Sequence, residues 1–129
     1  MFNSDWYNSL TKPVFAPPNY VFAPAWGILY TLIGISFLIY LFTKTGTNKT
    51  KGYMLFAGQL VLNFLWSPVF FGMKNMGLAL VIIVFMDILI YFNIKEFYKV
   101  SRISAFLLIP YLLWVMFATY LNAGYLYLN

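Results

Sequence analysis

Four long apolar runs, separated by short polar breaks, occupy most of the chain: residues 24–43, 53–72, 76–95 and 103–123. Each has the roughly 20 residues that an α-helix needs to cross the hydrocarbon core of a bilayer. A water-soluble chain of 129 residues has no interior large enough to hide four such runs. In lipid each run must satisfy its own backbone, and that makes it a helix. The pattern therefore predicts an all-α, polytopic membrane bundle of four transmembrane helices, forming a single transmembrane domain over residues 1–129.

The breaks between the runs carry turn chemistry. Residues 1–23 hold Pro13, Pro17 and Pro18 among Trp6, Tyr7, Phe15, Tyr20 and Phe22. Proline restricts itself and its predecessor, so no regular helix is expected there. The interleaved aromatic rings suit a membrane interface. Pro24 fits the first turn of the first helix, where its missing N–H costs little. Residues 44–52 form the longest polar run, 73–75 a tight turn and 96–102 a third loop. Pro68 predicts a kink near the end of the second helix, and Pro110 falls in the first third of the fourth.

Composition sharpens the class. The chain is 63% hydrophobic and only 9% charged, far below the roughly 25% charged residues of a soluble domain. It has no Cys and no His. That removes disulfides, thiolate and imidazole metal sites, Ser-His nucleophiles and histidine haem ligation. No metal site, catalytic residue or required cofactor is expected. The net charge of +5 does not indicate nucleic acid, because the cations flank the spans. Lys44, Lys49 and Lys51 lie in the first loop, and Lys95, Lys99 and Arg102 around the third. These two loops share one side of a four-span bundle. The positive-inside rule makes that side cytoplasmic, in a multi-pass protein of a cell membrane, expected to be a prokaryotic inner membrane.

Polar residues inside the spans carry the remaining information. Gln59, Asn63 and Ser67 recur four apart on the second helix, with Trp66 beside them. Tyr111, Trp114, Ala118, Asn122 and Tyr125 mark one face of the fourth; Ala23, Trp26, Tyr30 and Gly34 mark one of the first. Such mixed stripes serve as interhelical glue or as the walls of an aromatic ligand pocket. Asp87 is the only acid deep within a span. At helical rise it sits about 12 Å from Lys95, and Gln59 sits about 9 Å from Tyr53. A polar network of Gln59, Asn63 and Asp87 is thus compatible by depth. An intramembrane ionisable residue is a functional candidate; the simpler reading is a protonated Asp bonded between helices. Small residues at Gly27, Gly34, Ala57 and Gly58 permit close helix approach and a homodimer. Residues 89–95 and 51–55 fit loose sterol-contact patterns that a Tyr- and Lys-rich membrane chain also matches by chance.

Four ordered motifs then bring in a family. Trp6-Tyr7-Asn8-Ser9-Leu10-Thr11-Lys12-Pro13 and the run from Pro17 to Tyr30 come first. Gln59-Leu60-Val61-Leu62-Asn63-Phe64-Leu65-Trp66-Ser67-Pro68 continues to Gly72. Pro110-Tyr111-Leu112-Leu113-Trp114 continues to Asn122. In this order they resemble the tryptophan-rich sensory protein or translocator protein family. The resemblance implies a bundle of five helices, often dimeric, enclosing a pocket for porphyrins and haem-pathway intermediates, sterols or synthetic ligands. It implies ligand contacts at Tyr7, Phe22, Ala23, Trp26, Asn63, Trp66, Trp114, Ala118 and Leu121, with the indoles of Trp26 and Trp114 meeting a flat macrocycle. That family's first helix precedes the first motif, and only five residues precede Trp6 here. The expectation is a bundle lacking one wall, through truncation, a misplaced start, or replacement by oligomerisation. No Lys or Arg follows Tyr120, where the family's sterol motif ends in a basic residue. Asp87 lies five residues beyond the position of the family's acid in that helix, here Ile82, so it inherits no family role.

The functional expectation is an integral membrane receptor or sensor, not an enzyme, that binds tetrapyrroles and other hydrophobic small molecules. Alternatives are a transporter of porphyrin or sterol, a porphyrin-degrading photochemical enzyme, and an inactive fragment.

Overall fold

A computed structural model describes residues 22–128. The motif containing Tyr7 lies outside the described residues, as do the side chains of Phe22 and Ala23. Helix α1 runs Phe22–Phe42, α2 Thr50–Ser67, α3 Met76–Tyr98, α4 Arg102–Leu107 and α5 Ile109–Leu128. A π-helical turn, Pro68–Gly72, extends α2. Among the described residues four spans are long and apolar enough to cross a membrane: Pro24–Phe42, Thr50–Gly72, Met76–Tyr98 and Arg102–Leu128. No strand occurs among the described residues. The fold is the all-helical membrane bundle that the hydrophobic runs predict.

The element ends follow from local chemistry. The ammonium of Lys49 folds back onto the last carbonyls of α1, donating to Leu41 O at 3.1 Å and Thr43 O at 2.7 Å. Asn48 Oδ1 accepts the N–H of Thr50 at 2.8 Å at the start of α2. Pro68 has no N–H and crowds the preceding turn. The helix answers by widening, so that Met73 N–H bonds Pro68 O five residues back at 2.9 Å. Lys74 turns the chain through the left-handed region (φ 55°), and Asn75 caps α3 by accepting from Leu78 N–H at 3.0 Å. The fourth apolar run, continuous in the sequence, is interrupted at Leu108. Pro110 lacks the donor that would bond Phe106 O, and the Leu108 N–H closes a tighter turn onto Ala105 O at 3.1 Å.

Helix α3 is the hub: it packs against α2, α4 and α5, while α1 packs mainly on α4 and touches α5. The consecutive helices α1 and α2 make almost no backbone contact. Long side chains bridge them instead, with Phe37 stacked on Phe56 at 4.6 Å and Tyr40 edge-on to Tyr53 at 5.4 Å. Tyr40 also lies flat on Phe97 at 3.9 Å. It reaches across Gly52, where a Cβ would fall 2.2 Å from the Tyr40 Oη. Only glycine allows that approach.

Burial recurs every three to four residues, as at Leu29, Ile33, Ser36 and Tyr40 on α1, or Ala79, Ile83, Met86, Ile90, Asn93 and Phe97 on α3. The outward faces carry Ile28, Leu38, Val61, Phe64, Phe85 and Leu113, among others. Polar residues are thus turned inward and large apolar ones outward, the arrangement expected when the solvent is lipid.

Candidate ligand-binding site

Two arrangements meet between α1, α2 and α5. The first is a chain of hydrogen bonds centred on Tyr111. Its phenol donates to Gln59 Oε1 at 2.7 Å and accepts from Asn63 Nδ2 at 2.7 Å. The Tyr30 hydroxyl completes the chain by donating to Asn63 Oδ1. Three helices are tied at one level because Gln59 and Asn63 stand one turn apart on α2 and Tyr111 is fully buried opposite them. A buried phenol and two buried amides that satisfy one another avoid most of the desolvation cost that each would bear alone. Only the Gln59 Nε2 of this group lacks a partner.

The second is aromatic. Trp26 of α1 meets Trp114 of α5 edge-to-face, with ring centroids 6.3 Å apart. Trp26 also packs on Tyr30 at 5.6 Å, and Trp114 on Phe117 at 5.8 Å. Along the same seam runs a groove of about 460 Å³, bounded by Ala25, Ile28 and Leu29 on α1 and by Pro110, Leu113, Trp114 and Phe117 on α5. It exists because α1 packs mainly on α4 and only lightly on α5. Its lining is apolar and aromatic, the character of a hydrophobic ligand site.

The residues singled out in the sequence divide between these settings. Trp114 lines the groove, Trp26 abuts it, and Asn63 belongs to the Tyr111 chain. Trp66, Ala118 and Leu121 are buried in the packed core. The Trp66 ring stacks on Phe70 at 5.3 Å, and its N–H donates to Asn122 Oδ1 at 2.9 Å, while Asn122 Nδ2 donates to Met76 O at 3.0 Å. Tyr7 and the side chains of Phe22 and Ala23 lie outside the described residues.

The network expected from depth needs correction at one member. Asp87 bonds neither Gln59 nor Asn63, because the Tyr111 phenol occupies the space between those amides. Asp87 pairs instead with α5, its Oδ2 lying 2.6 Å from Thr119 Oγ1. Thr119 Oγ1 is also 2.8 Å from Val115 O. A hydroxyl has one proton and cannot donate to both. A protonated Asp87 donating to Thr119 satisfies both contacts. Sequence reading placed no weight on Thr119, nor on Ser36 and Ser104, which exchange reciprocal hydroxyl-to-carbonyl bonds at 2.6 Å between α1 and α4. Isolated hydroxyls within apolar runs were the available signal. The apolar lining residues Ile28, Leu113 and Phe117 give none, since they look like every other lipid-facing position.

Among the described residues no group of His, Cys, Asp and Glu is placed to hold a metal. The site offers stacking surfaces, a few fixed hydrogen-bonding groups and an opening along its length.

Comparison with known proteins adds the kinship. A model of the TspO/MBR family matches residues 1–128. The tryptophan-rich protein TspO of Archaeoglobus fulgidus is 44% identical over 125 residues, covering 96% of this chain and 80% of that protein. The human translocator protein is 40% identical over 119 residues, covering 91% and 70%. The tryptophan-rich sensory protein of Cereibacter sphaeroides is 35% identical over 127 residues, covering 97% and 77%. With four apolar spans, a tryptophan-lined seam and kinship along its whole length, this multi-pass membrane protein belongs to the TspO/MBR family.

Proposed function

We propose that this chain is a membrane receptor or sensor for flat hydrophobic ligands, tetrapyrroles foremost, taken up at the seam between α1 and α5. The observation that carries this reading is the Trp26–Trp114 pair beside the 460 Å³ apolar groove. Indole faces suit a planar macrocycle, and such contacts contribute beyond simple area burial. Tyr30, which packs on Trp26, and its hydrogen-bond partner Asn63 offer polar groups beside the seam for a ligand's polar edge. The names of relatives, one a sensory protein and one a translocator, support a receptor or sensor role. With neither His nor Cys in the chain, axial ligation by those side chains contributes nothing, and shape and stacking set affinity. The charge pattern supports an orientation in which the loops bearing Lys44, Lys49, Lys51, Lys99 and Arg102 face the cytoplasm.

Titration of the detergent-purified protein with protoporphyrin IX, read by tryptophan fluorescence, tests the reading. Saturable quenching is expected in the native chain. It should weaken at least about tenfold in Trp114→Phe and in Trp26→Phe, the equivalent of about 1.4 kcal/mol. Quenching that is non-saturable and equal in all three chains would refute the site.

A further inference from the structure

A second groove lies on the other side of the α4–α5 junction. It has a volume of about 320 Å³ and is formed where α3 ends and the chain doubles back into α4. Ile94 of α3, Ala105 and Phe106 of α4, and Ile109 at the start of α5 make an apolar floor, with Tyr98 as a side wall. The interruption at Leu108 opens it: Ile109 turns toward this groove while Pro110 lines the one beside α1. Lys95 and Lys99 stand at its rim.

The rim is short of negative charge. Lys95 Nζ rests over the rings of Tyr91 and Phe92 at 5.6 and 5.9 Å, and no carboxylate among the described residues is within ion-pair reach of it. Lys99 shares a single oxygen, Glu96 Oε1, with Lys51, at 3.0 and 3.4 Å. Arg102 lies over Tyr98 at 5.8 Å. Among the described residues four cations therefore gather near one carboxylate, and only Lys51 and Lys99 reach it. They do so at the end of the spans, where long basic side chains and aromatic rings meet the lipid headgroups.

An apolar trough that ends in an under-compensated cationic rim fits one kind of molecule, an amphiphile with an anionic head. We infer that the α3–α4–α5 groove is a binding site for an anionic phospholipid, with its phosphate between Lys95 and Lys99 and an acyl chain along Ala105, Phe106 and Ile109. Basic recesses at this depth attract anionic headgroups. The inference is independent of the ligand proposed for the α1–α5 seam, since the two grooves share no lining residue.

Native mass spectrometry on the full chain, with dioleoyl phosphatidylglycerol and dioleoyl phosphatidylcholine titrated separately, is the test. The native chain should retain the phosphatidylglycerol preferentially, and Lys95→Gln/Lys99→Gln should lose roughly tenfold in that preference. Lys44→Gln/Lys74→Gln, with its charges outside the groove, should not. Ile109→Trp, filling the floor and leaving both lysines intact, should also lower retention. Equal retention of the two lipids, or a Lys95/Lys99 variant that behaves like the Lys44/Lys74 control, would overturn the site. Displacement of the lipid by millimolar inorganic phosphate would overturn its lipid character and leave a plain phosphate site. Unchanged circular dichroism in each variant separates loss of binding from loss of fold.

Discussion

The two edges of α5 are built differently. Toward α3 and α2 it is locked: Tyr111, Val115, Ala118, Leu121 and Asn122 are buried. Bonds there run from Tyr111 to Gln59, from Asn63 to Tyr111, and from Trp66 to Asn122. Toward α1 it is open, with Leu113 61% exposed and Trp114 facing a groove. Both edges are rich in aromatic residues, so hydrophobicity does not separate them. Hydrogen bonds do. In lipid an apolar contact between helices competes with an equally apolar acyl chain, whereas a buried amide has no substitute partner. The edge with amides closes, and the edge without them stays open to lipid or to the ligand proposed above.

Removing the hub of the locked edge should have the largest effect. Tyr111→Phe keeps the ring and its packing but strands Gln59 Oε1 and Asn63 Nδ2, two buried groups, at a cost of about 2 kcal/mol. Reversible unfolding of the purified protein in mixed detergent micelles measures it. A loss below about 0.5 kcal/mol would show that the Tyr30–Asn63–Tyr111–Gln59 chain is not what holds α2 to α5, and the contrast between the edges would fail.

A smaller effect, on the same helix, tests the contrast directly. Leu121 is 4% exposed on the locked edge and Leu113 is 61% exposed on the open one. In water-soluble proteins burial makes a Leu→Ala change cost about 2–5 kcal/mol. Here the transfer part vanishes and only the packing part remains, so Leu121→Ala should cost about 1–2 kcal/mol. Leu113→Ala should cost under about 0.5 kcal/mol, because lipid takes the place of the lost methyl groups. Equal losses in the same unfolding assay would mean that the open edge is as tightly packed as the closed one.

This distinction also marks what could be read from the sequence. Four apolar runs gave four spans, and Pro68 announced the irregular turn that ends α2, because both are local effects of backbone chemistry. The stripe of Gln59, Asn63 and Ser67, with Trp66 beside it, was visible from its spacing alone; of these the structure buries Gln59, Asn63 and Trp66. Its partners were not: Tyr111 could be placed on a face of its helix, but not within reach of both amides. The break at Leu108 and the Gly52–Tyr40 approach depend on how α1, α3 and α4 meet. The groove beside α1 was the least legible, since its lining residues differ from other lipid-facing ones only in where α1 fails to pack. In a membrane chain hydrophobicity marks what meets lipid as readily as what meets protein, and periodicity loses much of its meaning for the core.

Asp87 also joins α3 to α5, but through a single half-buried contact, and its exchange for an amide should yield the smallest effect of a polar substitution on the locked edge. It is the one acid at mid-span among the described residues, it is half-buried, and it reaches α5 through Thr119. The Thr119 hydroxyl sits between Asp87 Oδ2 and Val115 O. With its proton directed to Val115 O, as is common for a helical Thr, the remaining contact must be donated by Asp87. A neutral amide can make that donation as well as a neutral acid can. Asp87→Asn should therefore change stability by no more than about 0.5 kcal/mol, whereas Asp87→Leu should lose about 1 kcal/mol with the bond itself. The protonated-carboxyl stretch in the infrared spectrum should be present in the native chain at neutral pH and diminished in Asp87→Asn. An Asn variant that unfolds as readily as the Leu variant would show that the carboxylate charge is what α3 and α5 require. The pair would then be a charged site awaiting a cation rather than a neutral clasp.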